Sequence, residues 1–126
     1  MDNRILLVED DPDLRDILTD VLEDCGYDVI PASGEHQALE YLRATCGSDD
    51  RPALVILDVT LPMLNEWQVL GAIREDPHLQ MPVIVVSSSA LWRPEGAAAY
   101  LRKPFNLVDL EQTVERASHH LANKPG

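Results

Sequence analysis

Short runs of consecutive apolar residues alternate along the chain with segments in which apolar residues recur every three or four positions. The runs are typical of strands covered on both faces, and the periodic segments are typical of amphipathic helices. The predicted strands are 4–8, 27–32, 53–57, 83–86 and 98–101. The first predicted helix begins at Pro12 and ends at Gly26. The next two run over 34–44 and 67–74, and the last follows a cap at Asn106.

Strands that alternate with helices predict an α/β fold, with a parallel sheet and helices on both of its faces. The 126 residues suit one domain, expected over 1–122, and the tail 123–126 is expected to fray. No apolar run approaches the roughly 20 residues that span a bilayer. The first residues also lack the pattern of a signal peptide. We therefore expect a cytoplasmic protein without membrane contact.

The net charge of −12 indicates which kinds of partner the chain is suited to bind. Such a chain repels phosphate backbones, which argues against direct nucleic-acid binding, and it suits cations and basic partner surfaces. Cys25 and Cys46 have neither Cys-x-x-Cys spacing nor a histidine at ligand spacing. Two reduced thiols are therefore favoured over a zinc site or a disulfide.

Chemically useful side chains stand at the ends of the predicted strands. Glu9 and Asp10 follow the first strand, Asp58 follows the third, Ser87 ends the fourth and Lys103 follows the fifth. Ligands of open α/β sheets bind beyond the carboxyl ends of the strands. We therefore expect these side chains to meet at one edge of the sheet.

This combination of residues points to phosphoryl chemistry with a metal ion. Clustered carboxylates repel one another unless a cation lies between them, and such oxygen ligands favour Mg²⁺ or Mn²⁺. A carboxylate can act as a nucleophile toward phosphorus, a lysine can balance phosphoryl charge, and a serine can hydrogen-bond a phosphoryl oxygen. Each signal is weak alone. Asp11, for example, is interpreted as a helix cap, and only the joint placement is specific.

Four ordered segments carry a family resemblance over the whole chain. They are ILLVEDD at 5–11, LDVTLP at 57–62, PVIVVS at 82–87 and RKPF at 102–105. With these segments the chain resembles the response-regulator receiver domain of two-component signalling systems, the CheY-like family. The resemblance implies a doubly wound, flavodoxin-like sheet of five parallel strands in the order 2-1-3-4-5.

The resemblance also implies roles for the acidic residues. The family's acidic pair that positions Mg²⁺ matches Glu9 and Asp10, and its phosphoacceptor matches Asp58. The residue two positions further on, which lends a backbone carbonyl to the metal in this family, is Thr60. The metal site implied by the resemblance therefore consists of these four residues.

Four further positions match the family's switch and phosphate-binding residues. The Ser/Thr that closes on the phosphoryl group matches Ser87, the lysine matches Lys103, and the aromatic switch residue matches Tyr100. The peptide bond before Pro104 corresponds to one that is often cis in the family.

The function implied by the resemblance is that of a phosphoacceptor. A histidine kinase or a histidine phosphotransfer protein would donate the phosphoryl group to Asp58, and a conformational change would signal to an output protein that the sequence does not name. The chain would not be an enzyme, beyond self-catalysed phosphotransfer and slow autodephosphorylation.

Two features depart from the family pattern. Glu66 stands where the loop after the phosphoacceptor usually carries a glycine, which permits an unusual backbone angle. Asn65, the residue before it, tolerates such an angle better than most. Ser87 and Lys103 are only 16 positions apart (103 − 87). Compared with the family, this interval is too short by roughly the length of a helix.

The shortened interval predicts that the helix between the fourth and fifth strands is absent or reduced to about one turn. Pro94 blocks continuation of a helix, and Gly96 weakens any helix through it. The usual family output face could not then form. Output would use another surface, such as the first helix or an exposed Trp92, or a phosphorylation-dependent dimer through a non-standard face. Alternatively, the loop would become ordered when Ser87 and Tyr100 shift on phosphorylation.

Two other functions stay open at this point. The first is a degenerate receiver that binds proteins independently of phosphorylation, which the shortened switch region keeps open. The second is a phosphatase of the haloacid dehalogenase type. Those enzymes need a second acid two residues after the nucleophile, and that position is Thr60 here.

Overall fold

The protein is described from a computed structural model that covers residues 3–59, 66–87 and 96–122. The strands are β1 Arg4–Val8, β2 Asp28–Ala32, β3 Leu54–Val59, β4 Val83–Ser87 and β5 Ala99–Arg102. The helices are α1 Pro12–Asp24, α2 Glu35–Thr45, α3 Glu66–Glu75 and α4 Leu107–Ala122. A short 3₁₀ helix, Pro77–Leu79, was not predicted from the sequence.

The five strands form one parallel sheet in the order β2-β1-β3-β4-β5. Successive strand residues point to opposite faces of a sheet, and each face here is apolar. Leu6 and Val8 of β1 belong to the core beneath α2 and α3, whereas Ile5 and Leu7 belong to the core beneath α1 and α4. The predicted α/β fold, strand order and two-sided helical cover are confirmed.

Short polar residues begin two of the helices, as the sequence predicts. Asp11 caps α1, and its Oδ1 accepts hydrogen bonds from the backbone N–H groups of Asp13 (3.0 Å) and Leu14 (3.4 Å). Asn106 Oδ1 accepts from the N–H of Asp109 at 2.8 Å at the start of α4. These bonds satisfy N–H groups that have no partner within the helix.

The third strand is longer than predicted. The predicted end at Leu57 is wrong by two residues, because β4 continues the ladder beside it, pairing Val86 with Asp58 and Ser87 with Val59. Asp58 therefore lies within β3 and not in the loop that follows it. A position in the ladder holds the backbone of this residue more firmly than a loop would.

The connection between β4 and β5 is only partly described. It spans 11 residues, 88–98, fewer than the dozen or so that a parallel crossover usually needs. Residues 88–95, with Trp92 and Pro94, lie outside the described residues, as does the tail 123–126. Residues 96–98 are not helical. The prediction that this connection holds at most about one helical turn therefore stays a prediction.

Gly96 begins the described end of this connection in a conformation that favours glycine. Its φ is +98°, and a Cβ built there would collide with Cδ of Arg74 in α3. We expect Gly96→Ala to lower the free energy of unfolding by at least about 1 to 2 kcal/mol, the usual cost of a left-handed non-glycine residue. Denaturant unfolding measures the change.

Gly71 provides a matched control in the interior of α3. A Cβ built there has no neighbour within 4 Å, so Gly71→Ala should stabilise the protein by about 1 kcal/mol through helix propensity. Equal effects of the two substitutions would contradict the conformation described for Gly96.

Two expectations from the composition can be compared with the structure. In the described part of the chain, Cys25 is an exposed free cysteine and Cys46 is a partly buried one. Among the helices of the described residues, none has the length and apolar character needed to cross a membrane.

Candidate functional site

The carboxyl ends of four strands bring the predicted residues to one edge of the sheet. Val8 pairs with Leu57, so the next residues along these strands, Glu9 and Asp58, are adjacent. Ser87 pairs with Arg102, the residue before Lys103. The sheet order therefore assembles side chains that are up to 94 positions apart (103 − 9).

The centre of this edge is a buried pair of carboxyl groups. Glu9 is 0% exposed and Asp58 is 4% exposed. Glu9 Oε1 accepts a hydrogen bond from the N–H of Asp11 at 3.0 Å. Glu9 Oε2 and Asp58 Oδ2 are buried and accept no hydrogen bond from the described residues, whereas Asp58 Oδ1 is paired with the Lys103 ammonium group. Buried polar oxygens without a partner are rare and costly.

Burial and the neighbouring Asp58 carboxyl group change the protonation of Glu9. Burial, followed by the neighbouring Asp58 carboxyl, raises the pKa of Glu9 from 4.5 to about 8. The hydrogen bond from Asp11 and the Lys103 ammonium group act in the opposite direction. At neutral pH Glu9 therefore holds a proton for much of the time unless a cation enters the site.

Lys103 supplies a positive charge next to Asp58. Its Nζ lies 2.6 Å from Asp58 Oδ1, and its side chain is 21% exposed. The backbone N–H of Lys103 donates to the carbonyl oxygen of Ser87 at 2.9 Å, which ties the end of β5 to the end of β4. The Lys103–Pro104 peptide bond is cis, as the resemblance implies.

The remaining predicted residues lie around this centre. Asp10 is exposed beside Glu9. Ser87 is 6% exposed at the end of β4, and Tyr100 is 36% exposed on β5. Thr60, the predicted carbonyl ligand, lies outside the described residues. Among the residues that are described, no three His, Cys, Asp or Glu side chains are arranged as a metal-binding group.

The backbone conformation at Glu66, where the family usually has a glycine, is described by the structure. Glu66 is the first residue of α3, and no non-glycine residue of the described ranges has a positive φ. Asn65 lies outside these ranges. The described backbone at position 66 is therefore helical and does not need a glycine.

One residue near this edge was not predicted from the sequence. Arg15 of α1 donates from Nη1 to the backbone carbonyl oxygen of Glu9 at 2.9 Å. No motif marks this residue, since its partner is a main-chain atom. A charged residue one turn into a helix that follows the acidic strand end is the only signal the sequence offers.

Comparison with known proteins identifies the family. The family model of the response regulator receiver domain matches residues 5–115. The transcriptional regulatory protein CpxR of Escherichia coli (strain K12) is 38% identical over 124 residues, which are 93% of this chain and 51% of CpxR. The DNA-binding response regulator MtrA of Mycolicibacterium smegmatis is 32% identical over 129 residues, covering 99% of this chain and 54% of MtrA. The chain thus spans about half the length of these curated relatives.

Solved structures of similar proteins have the same fold. The response regulator TrrA of Thermotoga maritima, in complex with Mg²⁺-BeF, has a TM-score of 0.77 and 28% identity, covering 93% of this chain and 99% of TrrA. The receiver domain of the sensor histidine kinase PA1611 of Pseudomonas aeruginosa PAO1 has a magnesium ion coordinated in its active site cleft. Its TM-score is 0.75 at 25% identity, covering 94% of this chain and 99% of that domain. The chain belongs to the response regulator receiver domain family.

Proposed function

We propose that Asp58 accepts a phosphoryl group from a histidine kinase or a histidine phosphotransfer protein, and that the modified receiver signals to an output protein. The observation that carries this proposal is the buried Asp58 carboxylate, 4% exposed, with the Lys103 ammonium group 2.6 Å away. In the transfer, an Asp58 oxygen forms a bond to phosphorus while the phosphorus–nitrogen bond of the donor histidine breaks. The released imidazole keeps the electron pair of that bond and can take up a proton.

Mg²⁺ fits the donor atoms on this edge. Glu9 Oε2 and Asp58 Oδ2 are buried and accept no hydrogen bond from the described residues, and carboxylate oxygens are ligands that Mg²⁺ prefers. Glu9, Asp10, Asp58 and the backbone carbonyl of Thr60 would hold the ion. When bound, it would neutralise charge on the carboxylates and on the phosphoryl oxygens.

The protein's own groups then account for the rest of the site. Lys103 is close enough to Asp58 to balance charge on a phosphoryl group attached there. Ser87, beside β5 at the same edge, would donate its hydroxyl to a phosphoryl oxygen. Tyr100, two residues before Arg102 in β5, would change position with Ser87 as the switch. We infer a cytoplasmic location from this signalling role.

The experiment that tests the function measures intact mass after incubation with a small phosphodonor. Wild-type protein should gain one phosphoryl group in Mg²⁺ and none in EDTA, and Asp58→Asn should gain none in either condition. Asp20→Asn, an exposed acid of α1, is the matched control and should behave as wild type.

Two outcomes would contradict the proposal. Equal phosphorylation of Asp58→Asn and wild type would place the acceptor elsewhere. Wild-type protein that gains no phosphate from small donors or from a histidine phosphotransfer protein would instead favour a receiver that acts independently of phosphorylation.

A further inference from the structure

Arg15 connects the beginning of α1 to the end of β1. Its Nη1 donates a hydrogen bond, 2.9 Å long and partly buried, to the carbonyl oxygen of Glu9. Among the described residues, Arg15 takes part in no ion pair. The side chain is therefore directed at a main-chain atom beside the acidic site, although α1 is rich in acidic residues.

The Glu9 carbonyl needs a donor because the sheet stops beside it. The N–H of Glu9 still donates to the carbonyl oxygen of Ala32 at 3.0 Å. In a parallel ladder, the carbonyl of Glu9 would accept from the residue two positions beyond Ala32. That residue is Gly34, the N-cap of α2, because β2 ends at Ala32. Arg15 supplies the donor that a buried carbonyl requires.

This hydrogen bond acts on the peptide that joins the two acidic residues. A peptide unit is planar, so a bond to the Glu9 oxygen orients the plane that continues to Asp10. The Glu9 carboxyl group is held separately by the N–H of Asp11 at 3.0 Å. Together the two bonds hold the main chain and the carboxyl group of Glu9.

We propose that Arg15 is a positioning residue, which holds Glu9 and Asp10 in the orientation that binds Mg²⁺ beside Asp58. It contacts the backbone behind the acids and needs no contact with the metal or the phosphoryl group. The inference rests on the proposed function, in which these carboxylates bind Mg²⁺. Loss of a hydrogen bond behind a metal ligand typically weakens metal binding or activity about 10- to 100-fold.

The test compares Mg²⁺ binding by Arg15→Met and Arg116→Met, using calorimetric titration of the full chain with Mg²⁺ alone. Arg116 is a matched control because its Nε also donates to a backbone carbonyl, that of Gln112 at 3.4 Å, but within α4. We expect Arg15→Met to bind Mg²⁺ about tenfold more weakly and Arg116→Met to bind as wild type. Arg15→Lys keeps a cationic donor and should recover most of the affinity.

Thermal unfolding without metal separates positioning from general stability. The inference predicts a lower melting temperature for Arg15→Met than for Arg116→Met in EDTA, because the buried Glu9 carbonyl loses its donor, and in addition a smaller Mg²⁺-induced rise for Arg15→Met. Equal Mg²⁺ affinity of the two variants overturns it. If Arg15→Met does not fold, Arg15→Gln, which shortens the side chain and removes its charge, takes its place: Mg²⁺ affinity about tenfold weaker than that of wild type supports the inference, and wild-type affinity overturns it. Wild-type protein that binds no Mg²⁺ overturns the proposed function itself, which distinguishes the two failures.

Discussion

Lys103→Met should lower the free energy of unfolding of the metal-free protein by about 3 kcal/mol, the lower end of the cost of breaking a buried ion pair. The ammonium group lies 2.6 Å from a carboxylate whose side chain is 0% exposed, so its removal leaves a buried charge beside Glu9. The lower end applies because the lysine side chain itself is 21% exposed. Methionine keeps the length and the apolar stem of the side chain. Urea unfolding in EDTA measures the change.

A double-mutant cycle isolates the charge interaction from the packing. Asp58→Asn removes the partner, so the double variant Asp58→Asn/Lys103→Met should recover most of the stability that Lys103→Met loses. Arg102→Met, at the neighbouring exposed position of β5, is the control and should have little effect. Mg²⁺ should reduce the difference in free energy of unfolding between wild type and Lys103→Met, because the metal supplies the missing positive charge. A Lys103→Met protein as stable as Arg102→Met would contradict this account of the pair.

The sequence alone predicts that the site residues lie close together, because this prediction needs only the order of the strands and helices along the chain. Apolar runs identify the strands, helical periods identify the crossovers, and a parallel sheet brings the carboxyl ends of its strands to one edge. Asp58 and Lys103 are 45 positions apart (103 − 58), yet each lies near the carboxyl end of a recognisable strand. The caps at Asp11 and Asn106 are equally local, since a short polar side chain beside a helical period is sufficient to predict them.

Features that depend on side-chain reach could not be predicted in this way. Glu9 and Asp10 are adjacent acidic residues that the sequence alone does not distinguish. In the folded protein Glu9 is fully buried and Asp10 is exposed, because they lie in different surroundings between the end of β1 and the start of α1. The bond from Arg15 to the Glu9 carbonyl depends on where the helix turns back over the strand. The extension of β3 to Val59 depends on the length of its neighbour β4. These are properties of the packed molecule.

The buried Glu9 carboxyl group should make the stability of the metal-free protein fall as the pH rises. The pKa of Glu9 is about 8 in the folded protein, against an ordinary value of 4.5. Between these values the folded state holds a proton that the unfolded state has released, so stability decreases with pH. The full difference corresponds to about 5 kcal/mol, reached above the folded pKa.

Chemical denaturation in EDTA from pH 5 to pH 9 should reveal this loss, and Glu9→Gln should remove most of the slope because its amide does not ionise. Mg²⁺ prefers the ionised carboxylate and binds only the folded arrangement. Its stabilising effect should therefore increase from pH 6 to pH 9 in wild type and change much less in Glu9→Gln. Glu23→Gln, at an exposed glutamate of α1, is the control and should retain the wild-type slope. Two results would contradict this account: a metal-free stability that does not change over this pH range, or an equal slope in Glu9→Gln and wild type. Either result would mean that Glu9 ionises freely in the folded protein and that the acidic site is less desolvated than its burial implies.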